Sequence, residues 1–207
     1  MNEEVQQQLR DIKQSFRLMM DGAVAQSMRE KGVDYHLNWG ATLPRLREKA
    51  NEIGSNYDLA IALWKENIRE CKILATMIMP VDQILPEVVD IWMEQTETVE
   101  IAEQAAMNLY QHLPYAPVKA YQWIASDREL FQLCGFHVLS RLFMRGQEPN
   151  ERGINEFLDQ AHVALLSSFV SVRKAALNSL NHFAALGLVY ERLANSILRL
   201  CSQEMKM

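Results

Sequence analysis

The sequence predicts an all-α chain built as a stack of paired helices, and three observations carry that prediction. Turns are scarce: 207 residues hold 8 Gly and 6 Pro, where average usage would supply roughly 14 and 10. Apolar residues recur at three- and four-residue steps, with no alternating strand pattern. Helices with small residues at their centres return every few tens of residues, the mark of a repeat architecture.

The elements follow in order. Glu3 to Lys31 reads as a long, broken helical segment, with Val5, Leu9, Ile12, Phe16, Met19 and Met20 as its apolar stripe. Gly22 is its weak point and Gly32 its stop. Val33 to Thr42 is the least periodic stretch. Thr42 and Pro44 read as a cap and an early-turn proline opening a helix to about Gly54. Ser55 or Asn56 caps the next, whose stripe is Leu59, Ala60, Leu63 and Trp64. Further helices span 68–78, ended by Pro80, then 86–95, and 99–112, ended by Pro114. A short piece over 118–125 and a long helix over 128–145, ended by Gly146, come next. The last three cover 151–166, 171–186 and 189–205, with Gly187 between the final two.

Small residues mark the centres of 68–75, 101–107, 133–139 and 172–180, where neighbouring pairs can stack closely while flanking Ile, Val and Leu fill a continuous core. Val172-Arg173-Lys174-Ala175-Ala176 is the clearest copy of this HEAT-type pattern. No stretch reads as an interdomain linker, so residues 1–207 are expected to form a single repeat domain.

Composition narrows the function classes. With 49% apolar and 23% charged residues the chain reads as soluble and globular. Cys71, Cys134 and Cys201 are far apart and form no C-x-x-C pair, which suits reduced, buried thiols. The acidic start Asn2-Glu3-Glu4 is unlike a signal peptide, and the longest charge-free run, 175–190, is too short and polar for a span. The expectation is a cytoplasmic monomer with no membrane partner, no metal and no cofactor. Net charge is −5, which weighs against a dominant attraction to phosphate. Between Gly54 and Glu97, Lys65, Arg69 and Lys72 face Asp58, Glu66, Glu70, Asp82, Glu87, Asp90, Glu94 and Glu97, so the whole imbalance sits there. No Ser-His-Asp set, phosphate-binding glycine loop or H-E-x-x-H is present.

Asn38-Trp39-Gly40-Ala41-Thr42-Leu43-Pro44-Arg45-Leu46-Arg47 resembles the glycine-x-x-x-proline opening of the AlkD-like DNA alkylation-repair family. Leu63-Trp64 and the Glu70-Cys71-Lys72-Ile73-Leu74-Ala75 helix are similar to that family's next segments, and the resemblance runs on to Val172-Arg173-Lys174-Ala175. It implies a right-handed solenoid of HEAT-like helix pairs, an alpha-alpha superhelix, holding duplex DNA on its concave face. In active members it implies removal of N-alkylated purines without metal or organic cofactor, using an acid, aromatic side chains and an arginine.

Placed on this sequence, the family's tryptophan and acid fall at Val99 and Glu103, its arginine near Cys134 and its late tryptophan near Asn178. Glu103 keeps the acid in type and is the candidate catalytic residue: a carboxylate can stabilise the cationic state through which an alkylpurine leaves its sugar. The aromatic walls that would hold the base by cation–π contact are absent from those positions. His137, one turn past Cys134, is the substitute within reach, though an imidazole on an apolar helix is more often a packed residue. Arg45, Arg141, Arg145 and Arg173 are the candidate DNA contacts; Arg141 and Arg145 stand four apart on one helix face. Trp39, Trp64, Trp92 and Trp123 read as packing residues, and Met77-Ile78-Met79 as core. The rival reading is an inactive scaffold that binds another protein, since helical repeats serve both uses.

Overall fold

The computed structural model describes residues 2–30 and 35–204. It divides into two compact units, Met1–Gln104 and Ala105–Met207. The expected stop at Gly32, the start of the stretch at Val33 and the last helix's end at Met205 lie outside the described residues.

In the first unit, α1 (Glu3–Leu18) buries Val5, Leu9, Ile12 and Phe16, the expected stripe. The helix stops two residues short of the end of that stripe: Met19 closes it through a bond to the Phe16 carbonyl, and Met20 is exposed. Gly22 opens a new helix, α2 (Gly22–Glu30), whose first turn is capped by the Asp21 carboxylate on Val24 N–H at 3.1 Å. Then come α3 (Leu43–Ile53), with Pro44 in its first turn, and α4 (Tyr57–Trp64). Thr42 precedes α3 in extended backbone, but its side chain makes no capping bond. Of the two cap candidates for α4 it is Asn56 that accepts from Leu59 N–H, at 3.0 Å. α5 (Arg69–Ile78) and α6 (Pro86–Glu94) follow. Trp64 and Trp92, closing α4 and α6, stack with centroids 4.2 Å apart, and Gln95 accepts the Trp64 indole N–H.

The next helix, α7 (Val99–Asn108), is shorter than expected. Its chain tightens into a 3-10 turn at Tyr110–His112, because Pro114 forces Leu113 out of helical backbone. The second unit continues with α8 (Ala116–Ile124), α9 (Glu129–Met144), α10 (Glu151–Leu165), α11 (Val170–Ala184) and α12 (Leu188–Glu204). Ser171 bonds Glu129, and His182 bonds Ser140. Both pairs are 42 residues apart, so α9 and α11 run parallel in a fixed register, as equivalent helices of successive repeats do. Gly135 makes room for α8: a Cβ there would meet the Ala120 carbonyl oxygen at 2.8 Å. Phe136, Phe143, Phe157 and Phe183 fill the centre, with Phe143 and Phe157 centroids 5.0 Å apart.

Trp64, Trp92 and Trp123 are buried, as are all three cysteines. Trp39 is half-buried.

Candidate nucleic-acid interface

The segment from Tyr35 to Thr42, which carries the family-like glycine, has no helix of its own and is held by buried charge. Its backbone meets the start of α5 through Arg69 N–H on the Leu37 carbonyl, at 3.1 Å. The Glu70 carboxylate, fully buried in the first turn of α5, accepts from Trp39 N–H and Ala41 N–H, each at 3.2 Å. An anion suits that helix end. Arg69 is 2% exposed; it donates to the Ala41 carbonyl at 2.9 Å and to Glu70 at 3.1 Å. It also grips Glu100 on α7 with two bonds, at 2.8 and 2.6 Å. Tyr35 donates to the same Glu100 at 2.6 Å.

Burial would raise the Glu100 carboxyl, but the bonds and charge of Arg69 hold it below its ordinary range. The Tyr35 hydroxyl is pushed up by burial and by its bond to that carboxylate. Gly40 completes the arrangement. Its φ is +73°, and a Cβ would stand 2.2 Å from the Asp21 carbonyl oxygen, so the motif needs glycine for both backbone shape and close approach.

The candidate residues are distributed over both units. Glu103 lies on α7 with its residue exposed, three positions after Glu100. Val99 begins that helix, partly exposed and aliphatic. Arg45 is exposed on α3 and reaches the C-terminal end of α1, its Nη1 3.4 Å from the Met19 carbonyl oxygen.

In the second unit, Cys134 is fully buried, and burial pushes its thiol up. Asn178 is exposed and donates to Ser140 at 3.0 Å; Ser140 in turn meets His182 Nδ1 at 2.7 Å. Arg141 is half-buried on α9 and Arg145 exposed just beyond that helix's end. Arg145 donates to the Gln111 carbonyl at 2.6 Å and lies 3.4 Å from His112. Partial burial and the Arg145 charge lower the His112 pKa. Arg173 turns onto the Ser167 and Ser168 carbonyls, which precede its own helix.

The parallel register separates these cations. Arg173 lies level with residue 131, so it stands ten residues, roughly 15 Å, along the axis from Arg141. Arg141 and Arg145 are about one helical turn apart.

Fold and residues together define a helical-repeat protein of the HEAT-like class. A solved structure similar to it is described as "A new family of proteins related to the HEAT-like repeat DNA glycosylases with affinity for branched DNA structures", at 18% identity and a TM-score of 0.82, over 92% of this chain and 82% of that one. The model of the DNA alkylation repair enzyme family matches residues 12–176, and the chain belongs to that family. No curated protein matches it.

The Arg69–Glu70–Glu100 network was not anticipated from sequence, where Arg69 and Glu70 entered only the charge balance of 54–97 and the 68–75 helix, and Glu100 was not singled out. Arg69 and Glu70 open the small-residue helix itself, and nothing in their local sequence distinguishes them from exposed first-turn charges.

Proposed function

We propose that this chain binds DNA at branched or distorted sites and excises alkylated bases slowly or not at all. The observation that carries the reading is the loss of chemistry within the family framework. The position nearest the family's arginine is Cys134, sealed in the core, and the late tryptophan position is Asn178, bonded to Ser140. An exposed Glu103 supplies a carboxylate, but Val99, one turn before it, gives no aromatic face to hold a cationic base.

Arg45, Arg141, Arg145 and Arg173 are the proposed phosphate contacts. A guanidinium has five N–H donors, so those of Arg145 and Arg173 that bond carbonyls leave others for phosphate. The affinity for branched DNA described for the structural relative supports the choice of target.

The test pairs binding with catalysis. Fluorescence anisotropy should give at least about tenfold tighter binding to a three-way junction than to a linear duplex of equal length, a difference of about 1.4 kcal/mol. Single-turnover incubation with 7-methylguanine DNA should release no base above the spontaneous rate. Equal affinity for both DNAs, or rapid release abolished by Glu103→Gln, overturns the reading.

A further inference from the structure

Resting on the reading that this chain binds DNA, we propose that a groove in the first unit holds an unpaired DNA strand. The groove, about 460 Å³, runs between α1 and the Leu37–Trp39 segment. One wall is largely cationic: Arg10, Lys13 and Arg17 project from the side of α1 that flanks its buried stripe, with Asp11 among them. The other is apolar and aromatic, made by Leu37, Trp39 and Ile68.

The charges on the first wall are unequally committed. Lys13 is paired with Glu66 at 2.9 Å, and the Asp11 carboxylate accepts from the Gln7 amide at 2.8 Å. Arg10 and Arg17 are both exposed, and neither is ion-paired among the described residues. Arg10 donates to the neutral Gln7, at 2.8 Å, and the Arg17 guanidinium lies over the Trp39 ring, 5.7 Å from its centroid, so a base that stacks there displaces it toward the phosphates. Seven residues separate them, roughly 10.5 Å along the helix. Two guanidinium groups spaced along a line suit a chain of phosphates better than a single anion. Arg45, on α3, reaches the C-terminal end of α1 and extends the series.

The second wall explains why the occupant is a strand. A duplex presents phosphates and hides base faces, whereas an unpaired strand offers phosphates on one edge and stacking surfaces on the other. Trp39 is presented from a fixed backbone: its N–H is held by Glu70 at 3.2 Å and its carbonyl by Asp21 N–H at 2.9 Å. The ring is therefore positioned before any ligand arrives, and little ordering is left to oppose binding. The buried Arg69–Glu70 pair holds the platform that this groove uses.

The experiment measures full-length protein against an oligothymidine of about 16 nucleotides and a linear duplex, across a salt series. Arg10→Gln combined with Arg17→Gln should weaken oligothymidine binding at least about tenfold and flatten its log–log salt slope by about 1.4, or 0.7 per lost phosphate contact. Trp39→Leu should weaken it about tenfold with the slope retained. Duplex affinity should change less than twofold in both variants, and circular dichroism melts check that each is folded. Three outcomes overturn the groove while leaving DNA binding intact: oligothymidine affinity unchanged in both variants, equal loss on duplex, or displacement of the strand by polyglutamate at equal charge. If the wild type binds no DNA of any form, the functional reading itself fails and the groove with it.

Discussion

Each unit has a buried apolar core, but the first adds a buried charged network where the second has a cluster of aromatic rings. In Met1–Gln104 the residues that tie the Tyr35–Thr42 segment to α5 and α7 are Arg69, Glu70 and Glu100, joined by directional bonds. In Ala105–Met207 the rings of Phe136, Phe143, Phe157 and Phe183 pack against one another at the centre, without directional bonds between them. Buried ion pairs contribute little net stability over well-packed apolar groups, yet leaving one partner alone is severe. An aromatic cluster degrades in proportion to the volume removed. The charged network therefore fixes the conformation of an irregular segment, whereas the aromatic cluster fills space between regular helices.

Three changes break or sharpen this contrast. Arg69→Ala leaves Glu70 buried without its cation and releases the Ala41 carbonyl. The expected loss is about 3–5 kcal/mol, with amide exchange accelerating first at residues 37–41. Equal acceleration across both units would contradict the local role assigned to Arg69. Phe157→Leu keeps an apolar group among its neighbours and should cost about 1–2 kcal/mol, read as a shift in the denaturation midpoint with unchanged m-value. A loss matching that of Arg69→Ala would erase the distinction.

Acid gives the smallest and most selective effect. Because the folded Glu100 carboxyl lies below its ordinary range, its contribution is present above the unfolded pKa of about 4.3 and fades as pH falls through the lower folded value. Below about pH 4 the Tyr35–Thr42 segment should lose exchange protection while the phenylalanine cluster keeps its own. Loss of protection in the cluster at the same pH would show that titration is not confined to the network.

The helices were legible because their punctuation is local. Pro44, Pro86 and Pro114, Asn56 and the burial stripe of α1 act within a few residues of themselves, and the structure follows them to within a residue or two. Thr42 and the 99–112 helix departed for equally local reasons, an extended residue without a side-chain bond and a proline that tightened the last turn. The site was less legible. Arg69 and Glu70 look like any exposed pair in a charged stretch, and only the return of the chain from Trp39 and Ala41 buries them. Trp39 was read as packing, and the structure makes it half packing and half groove wall. Charge counted along the chain likewise treated Arg69 and Glu70 as surface charges, whereas they face one another in the interior and leave the net balance of 54–97 unchanged.

Gly135 has a bearing on how the second unit assembles. It lets the backbones of α8 and α9 approach across a connection of only residues 125–128. Closing so short a loop fixes little chain entropy before contacts form, so this hairpin is the natural first structure in the order of folding. The register between α9 and α11, which spans 42 residues, can be established only after that surface exists. A side chain at position 135 would therefore act on the rate of folding as well as on the finished packing, by holding apart the one pair of helices that the later ones use as a template.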